Sequence, residues 1–397
     1  MKEDVKDKIS AHSPARVELS DWSEFGSFSI YPSEADRLLE EGVLVGTVYT
    51  NPNFSTVDEH GHASGHDIDL VRLLVWGCLK VNADEHTVAY DEELCSAATS
   101  LYATVAKQLV ATRRAPVSAT LVRQEALDIQ DDWIKKASAA DPRRRIKIRI
   151  RSFPNLETAL LELSRKQIDI LIGSITKALK RLSDNGNIRF TDGYYSFTTR
   201  LYAREGSAQR AAQWTDWLGT SRKVGVISNS TNHWLANSLS EEAGVEQLDL
   251  KVVPFDSFAQ LEEPFDRNDI DGLLIDNLLS DAQLKRTVPL SGIEDTAAWR
   301  HYIKEQIGGD GEELALAVAT SDKRECLPDM NWVMKVAFGR DAVSYLPISR
   351  NDIYCPIQQA LRSDEIERTN AILRDVYNIP PPHHGLHRQV AVPLALI

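Results

Sequence analysis

The sequence predicts a two-lobed α/β protein, because apolar runs typical of buried strands alternate with amphipathic helices in two separate parts of the chain. In the first part, strands "IKIRIRSF" (146–153) and "IDILIGS" (168–174) flank a helical segment at 155–167. In the second part, predicted strands at 223–229, 248–255 and 270–276 are separated by predicted helices at 230–244 and 257–269. A strand–helix–strand order favours a right-handed crossover and a parallel sheet.

The other predicted elements surround these two units. A strand at 42–50 is followed by a short hairpin with its turn near Gly61 and by a helix at 68–79 with helical apolar spacing. Two strong helices at 91–114 and 118–140, separated by Pro116, form an added helical hairpin. A further strand is predicted at 313–319, and the tail carries helices at about 329–338, 356–362 and 364–377.

These elements predict four stretches along the chain. We expect an N-terminal arm at 1–38 and a first lobe at 39–204 with a helical insertion at about 80–145. A second lobe at 205–311 follows, and residues 312–397 return to the first lobe and end in helices.

Composition excludes several classes of protein. The chain has 397 residues and a formal net charge of -13, which argues against a surface that binds nucleic acid. No apolar run of 18 residues is present, so we expect no membrane insertion. The N-terminus has no apolar segment typical of a signal peptide. This indicates a cytoplasmic protein, or a periplasmic or extracellular one if an export signal has been removed.

No residue pattern demands a metal or a cofactor. The four cysteines form no C-x-x-C pair, although a single bridge such as Cys78 to Cys95 stays open. His60, His62 and His66 alternate as metal ligands can, but the glycines beside them favour a surface turn. We therefore expect no cofactor and no metal site.

The order and spacing of four segments resemble the amino-acid-binding family 3 of solute-binding proteins, which has the type II periplasmic-binding-protein fold. The segments are "LVGTVYTNPNFSTVDEHGHASGHDIDL" (44–70), "ALLELSRKQIDILIGSITKALKRLSDNGNIRFTDGYYSF" (159–197), "WLGTSRKVGVISNST" (217–231) and "VVPFDSFAQLEEPFDRNDIDGLLIDNLL" (252–279). The resemblance implies a ligand cleft between the lobes that closes by hinge motion. The crossover segments are expected near 200–206 and 305–314.

The resemblance also implies roles for individual residues. The ammonium-binding aspartate of the family falls at Asp276, whose alternative role is a helix N-cap. The family's carboxylate-binding arginine falls at Lys180, with Arg181 one position further on. A one-residue step rotates a helical side chain by about 100 degrees, so either base could face the cleft.

The walls of the expected cleft depart from the family pattern. Many amino-acid binders carry an acid where Val48 stands, so a basic amino acid is disfavoured as ligand. Asn51 and Leu156 stand where aromatic side chains often stack on the ligand, whereas Phe54 keeps an aromatic ring.

Hydroxyl residues stand where the two predicted units turn towards the cleft. Ser230 and Thr231 lie between a strand and a helix, where free backbone N–H groups and a positive dipole end favour an anion. Ser174 and Thr176 flank the exit of the strand 168–174. For all four residues, local capping is the alternative to ligand contact.

Three functions remain in competition. The first is binding of an amino acid or related small carboxylate, as a solute-binding or sensing protein. The second is a cytoplasmic enzyme on the same scaffold, such as a dehydratase or lyase acting on a small carboxylic acid, with Asp276 as general acid or base. The third is a homodimer or protein partner contacted through residues 91–140.

Overall fold

Two five-stranded sheets organise the part of the chain that the computed structural model describes. That part comprises residues 34–48, 53–57, 63–82, 87–111, 146–184, 188–204, 213–218, 220–241, 249–278, 287–309, 311–319, 353–377 and 379–382. The strands are β1 Val43–Val48, β2 Thr56–Val57, β3 Ala63–Ser64, β4 Leu79–Asn82, β5 Thr87–Tyr90, β6 Ile148–Phe153, β7 Ile170–Ile172, β8 Ile188–Phe190, β9 Tyr195–Phe197, β10 Thr199–Arg204, β11 Arg222–Ile227, β12 Leu250–Phe255, β13 Gly272–Asp276, β14 Thr287–Leu290, β15 Glu312–Leu314 and β16 Ala317–Ala319.

The helices cover the sheets. They are α1 Glu34–Glu40, α2 His66–Arg72, α3 Glu92–Ala111, α4 Leu156–Ser164, α5 Leu179–Asp184, α6 Thr231–Glu241, α7 Phe258–Asp266, α8 Ala297–His301, α9 Tyr354–Leu361 and α10 Asp364–Val376. Helices α2 and α8 continue as π-helical turns at Leu73–Cys78 and Tyr302–Ile307, and short 3-10 turns lie at Trp214–Trp217 and Ile293–Asp295. None of the helices described is both long and apolar enough to cross a membrane.

The first sheet has the strand order β6-β1-β7-β16-β8 and the second has the order β12-β11-β13-β10-β14. In the first sheet β1 pairs in parallel with β6 and β7, and in the second β11 pairs in parallel with β12 and β13. Separate groups of buried apolar side chains fill both faces of each sheet. The two-lobed α/β fold predicted from the sequence is therefore confirmed, with the parallel pairing that its crossovers require.

Local sequence explains where several helices begin. Asn155 caps α4 by accepting a hydrogen bond from the Thr158 amide, and Ser257 caps α7 by accepting one from the Gln260 amide. Such caps satisfy backbone donors that a helix cannot satisfy internally. These caps place the helix starts at or next to the predicted positions.

Two connections join the sheets, and they differ in detail from the sequence prediction. Strand β9 runs through Thr198 into β10, and β10 belongs to the second sheet. The chain therefore enters the second sheet at Thr199. The predicted strand 313–319 is two strands, because β15 pairs with β9 between the lobes while β16 enters the first sheet.

The segments outside the basic pattern attach to the first lobe. The end of the expected arm is helix α1, whose Leu38 is fully buried in the core of the first lobe. Helix α3 of the expected insertion packs Cys95, Ala98 and Tyr102 into the same core. The predicted helices at 118–140 and 329–338 lie outside the described residues.

The described cysteines are in two states. Cys78 and Cys95 are both buried free thiols in hydrogen-bond contact, so the bridge left open for this pair is not formed. Cys355 is disulfide-bonded.

Candidate functional site

A pocket lies between the two lobes, where strands β7, β11 and β13 end. Its volume is about 600 Å³ including the part that opens to solvent. The described residues lining it are Leu156, Ser174, Ile175, Thr176, Arg181, Ile227, Ser230, Thr231, Asn232, Phe258, Ile275, Asp276 and Leu278. Ligands of open α/β sheets bind at this kind of position, beyond the carboxyl ends of the strands.

Arg181 is the basic residue that faces the pocket. Only 3% of its surface is exposed, and its guanidinium donates to the Thr176 carbonyl over 2.6 Å. Burial lowers the pKa of Arg181 to about 10, against the opposing effects of Tyr302 and Asp276. Lys180, the other candidate, is exposed and does not line the pocket.

The helix that carries Arg181 packs on the opposite lobe, and this decides between the two bases. Ala178, just before α5, is buried in the core of the second lobe. Lys180 Nζ lies 4.6 Å from the centre of the Trp234 ring, and the Arg181 guanidinium lies 5.3 Å from it. Trp234 belongs to α6 of the second lobe, so these contacts join the lobes beside the pocket.

Asp276 supplies the negative charge at the end of β13. Its Oδ1 accepts a hydrogen bond from Asn232 Nδ2 over 2.9 Å and lies 3.3 Å from the Thr199 hydroxyl oxygen. Burial raises the pKa of Asp276 to about 6, and the hydrogen bonds from Asn232 and Thr199 together with the Arg181 charge limit the rise. Arg181 and Asp276 are the charged residues among the described lining.

The hydroxyl residues divide into two kinds. Thr176 and Thr231 approach each other across the cleft, with their hydroxyl oxygens 3.3 Å apart. Ser230 instead caps α6, since its hydroxyl donates to the Ile227 carbonyl and accepts from the His233 amide. Ser174 donates its hydroxyl to the neighbouring Gly173 carbonyl. The local capping foreseen for the two serines therefore occupies their hydroxyl hydrogens.

A buried acid that the sequence did not single out holds the strand exit at Gly173 and Ser174. Asp67 Oδ2 accepts hydrogen bonds from both of their backbone amides, over 3.0 and 2.9 Å. The Tyr194 hydroxyl donates to Asp67 Oδ1 over 2.8 Å. Gly173 and Ser174 both have positive φ, of 114° and 54°, so the exit needs this support.

His66 was expected in a surface turn, and that expectation is wrong. The residue begins α2 and is fully buried, with Nδ1 3.0 Å from Asp67 Oδ1 and Nε2 2.7 Å from Asn370 Oδ1. The glycines beside the histidines predicted a turn, but the buried part of α2 already begins at His66. His60 and His62 lie outside the described residues.

Three wall positions have different outcomes. Leu156 lines the pocket, where the family pattern has an aromatic side chain. Phe54 does not, because its ring is fully buried against His66 and Tyr195. Asn51 lies outside the described residues.

Four residues that contact Asp276 or lie beneath it were not singled out by the sequence. Asn232 and Thr199 contact Asp276, while Glu312 and Tyr302 lie beneath them. Asn232 could have been suspected from its place in the first turn of α6. Thr199 and Glu312 meet only because β9 and β15 pair, and they are 113 positions apart. No group of three or more His, Cys, Asp or Glu side chains in the described residues could hold a metal ion.

Comparisons with known proteins give similarity to structures alone. No protein-family model matches the chain, and no curated protein matches it. A mutant of ArgBP from T. maritima is 16% identical with a TM-score of 0.49, covering 87% of this chain and 99% of that one. An amino acid ABC transporter substrate-binding protein from Streptococcus pneumoniae, bound to L-arginine, is 12% identical with a TM-score of 0.47, covering 88% and 99%. The ancestral amino-acid-binding protein AncCDT-1, a precursor of cyclohexadienyl dehydratase, is 16% identical with a TM-score of 0.44, covering 78% and 97%.

Proposed function

We propose that the pocket binds an α-amino acid, with the carboxylate at Arg181 and the ammonium group at Asp276. The observation that carries the proposal is one enclosed cation and one carboxylate on the walls of a single pocket. Each is costly to desolvate alone, and a zwitterion offers each a partner. A guanidinium can hold a carboxylate by two parallel hydrogen bonds. The Thr231 hydroxyl and the N-terminal end of α6 line the same pocket as Arg181, and a helix N-terminus favours an anion.

The remaining described lining favours an amino acid with an apolar side chain. Leu156, Ile175, Ile227, Phe258 and Leu278 form much of the wall. The described lining offers no second carboxylate to pair with a charged side chain, and Val48 is buried away from the pocket. Burying an unpaired ammonium or guanidinium group there would be strongly unfavourable.

Calorimetric titration with the twenty standard L-amino acids tests this proposal. We expect one or a few apolar amino acids to bind to the wild type. Arg181→Lys replaces the planar fork by a point charge and should weaken binding about tenfold. Asp276→Asn removes the charge facing the ammonium group and should weaken binding about 30-fold, from about 2 kcal/mol for a charge-assisted hydrogen bond.

Lys180→Ala is the matched control for Arg181→Lys. Lys180 lies next to Arg181 on the same helix, but its side chain is exposed and does not line the pocket. Its affinity should stay within about threefold of the wild type, because its contact with Trp234 is that of an exposed cation with a ring. Equal losses in the two variants, or binding that Asp276→Asn leaves intact, would contradict the proposed orientation.

Turnover of a small carboxylic acid is the second candidate, and the pKa of Asp276 favours it. A carboxyl group with a pKa of about 6 is suited to proton transfer near neutral pH. The same titrations decide between the candidates if the mixtures are analysed by mass spectrometry. An unchanged ligand supports binding, whereas a product that is lost in Asp276→Asn supports an enzyme.

We propose that the protein works in an oxidising compartment, which favours the periplasmic or extracellular alternative. The disulfide at Cys355 supports this, since such bonds persist mainly outside the cytoplasm. Counting reactive thiols in the unfolded protein without reductant tests for the bridge.

A contact with a homodimer or protein partner through residues 91–140 stays a prediction, because the described core-facing side of α3 is covered by this chain itself.

A further inference from the structure

A chain of four polar side chains runs from the pocket into the connection between the lobes. Asp276 Oδ1 lies 2.9 Å from Asn232 Nδ2, and Asn232 Oδ1 lies 2.7 Å from the Thr199 hydroxyl. The Thr199 hydroxyl lies 2.7 Å from Glu312 Oε1. Glu312 is 3% exposed and Thr199 is fully buried, so bulk water does not reach this end of the chain.

The three links of this chain need three hydrogen atoms, and the neutral side chains supply two. Asn232 can offer an N–H to one neighbour only, because its other end is an acceptor. Thr199 has one hydroxyl hydrogen. If Asn232 donates to Asp276, Thr199 donates to Asn232, and the hydrogen between Thr199 and Glu312 must come from Glu312. If the amide faces the other way, the missing hydrogen must come from Asp276 instead.

One proton is therefore held between the two carboxyl groups whichever way the amide faces. We propose that Glu312 is a positioning residue of the pocket and that it carries this proton. Glu312 then donates to Thr199, Thr199 donates to Asn232, and Asn232 donates to an ionised Asp276. In this arrangement every link has one hydrogen, and Asp276 keeps the charge that an ammonium ligand requires.

Further contacts fix the position of the Glu312 carboxyl group. The Tyr302 hydroxyl donates to Glu312 Oε1 over 2.6 Å, and the Thr199 amide donates to Oε2 over 2.6 Å. Tyr302 also shares a hydrogen bond with Thr231 in the pocket. Glu312 thus connects through Tyr302 to Thr231, which lies on the side proposed for the ligand carboxylate. Through Thr199 and Asn232 it connects to Asp276, on the side proposed for the ligand ammonium group.

The titratable and charged groups around Glu312 are Asp276 on β13, Tyr302 in the π-helical turn after α8, and Arg181 beyond Asp276 on α5. Burial, and then the Asp276 charge, raise the pKa of Glu312 to about 7, against the effects of the Tyr302 and Thr199 hydrogen bonds. Burial raises the pKa of Asp276 to about 6. Two such groups titrate as a pair, and the order of these values agrees with the proton resting on Glu312.

The first test needs no ligand, so it stays decisive even if the proposed function is wrong. Glu312→Gln replaces the protonated carboxyl by an amide that donates to Thr199 at every pH. The pKa of Glu312 is higher in the folded state than its ordinary value of 4.5, so the wild type loses stability as pH rises from about 4.5 through 7. The midpoint temperature of Glu312→Gln minus that of the wild type should therefore increase over this range and level off above it.

Infrared spectroscopy separates a proton-holding residue from one with only a structural role. The carbonyl band of a protonated carboxyl should disappear from the wild type between pH 6 and pH 8. In Glu312→Gln only the change of Asp276 at lower pH, with its pKa of about 6, should remain, whereas Asp276→Asn should keep the change of Glu312. A band that persists in Glu312→Gln and is lost in Asp276→Asn would place the proton on Asp276 and overturn the assignment, as would a parallel pH dependence of midpoint temperature in Glu312→Gln and wild type.

The link to binding rests on the proposed function, and titration with L-leucine as the probe tests it. At pH 7 Glu312→Gln should bind L-leucine within about threefold of the wild type, because the amide keeps the link to Thr199 and through it to Asn232 and Asp276. Glu312→Ala breaks the links to Thr199 and Tyr302 and should bind about tenfold more weakly or worse. If Glu312→Ala binds as tightly as Glu312→Gln, Glu312 does not position the pocket. If L-leucine binds to no variant, the proposed ligand is wrong, and the pH profile and infrared band still decide where the proton lies.

Discussion

Replacing Asp276 by asparagine should stabilise the ligand-free protein while it weakens ligand binding. An asparagine Oδ1 can accept the same hydrogen bond from Asn232 that Asp276 Oδ1 accepts, and it can keep the same contact with the Thr199 hydroxyl oxygen. The substitution therefore removes the charge and keeps the shape. What it changes is the cost of ionising a carboxyl group in an enclosed place.

That cost follows from the pKa. Burial raises the pKa of Asp276 from 3.8 to about 6, a difference of roughly two pKa units at about 1.4 kcal/mol each. Because the folded-state pKa is the higher one, Asp276 stabilises the fold below pH 3.8 relative to higher pH, and this contribution is lost as pH rises to 6. Above pH 6 the asparagine variant should be more stable by about 3 kcal/mol. The favourable effect of Arg181 on the carboxylate is already contained in this value.

Urea denaturation of both proteins at several pH values between 4 and 8 measures the difference. The two curves should coincide near pH 4 and separate by pH 7, with the variant unfolding at higher urea concentration. Asp266→Asn, an exposed acid at the end of α7, is the control and should change little at any pH. A variant that is less stable than the wild type at pH 7 would refute the reasoning, since it would mean that the Arg181–Asp276 attraction exceeds the cost of burial.

Two further substitutions test the strand exit and the contact between the lobes. Gly173→Ala should destabilise the fold by about 2 kcal/mol or more in thermal unfolding, because φ is 114° and the new Cβ would lie 2.6 Å from the Val48 carbonyl oxygen; Gly311→Ala, where nothing lies within 4 Å, should not. Trp234→Ala removes the ring beside Lys180 and Arg181 and should enlarge the radius of gyration of the ligand-free protein in X-ray scattering. An unchanged radius of gyration would show that these cation–ring contacts do not hold the lobes together.

The fold could be predicted because most of its elements carry a local pattern. β11 and β12 were expected at 223–229 and 248–255 and lie at Arg222–Ile227 and Leu250–Phe255. The β4–β5 hairpin was missed, since "LKVNADEHTVAY" mixes polar and apolar residues without a clear period. The break between β15 and β16 was missed because pairing partners, rather than composition, separate the two strands.

The pocket was less accessible to sequence reasoning, because its chemistry depends on contacts between distant segments. The sequence does not show whether Arg181 or Lys180 faces the pocket. The packing of α5 on the second lobe decides this, because it turns Arg181 towards the pocket. Ser174 and Ser230 carry the expected residue type, yet their hydroxyl hydrogens serve the local backbone. Glu312 has a neighbour of the same type at 313, and nothing in the sequence indicates which of the two is buried.

For the proposed ligand site, the position of Arg181 predicts that closure of the cleft selects for a ligand that carries a carboxylate. Arg181 belongs to the chain segment between two strands of the first sheet, yet it is enclosed beside Asp276, Trp234 and Tyr302 of the second lobe. Opening the cleft has to separate these groups and return the guanidinium to water. Closing it again desolvates one cation and one anion, and their mutual attraction offsets only part of that cost. A zwitterion placed between them adds an opposite charge to each, so the closed state gains most with a ligand that carries both groups. A ligand without a carboxylate leaves the Arg181 side of this cost uncompensated and should be excluded on energetic grounds rather than by shape.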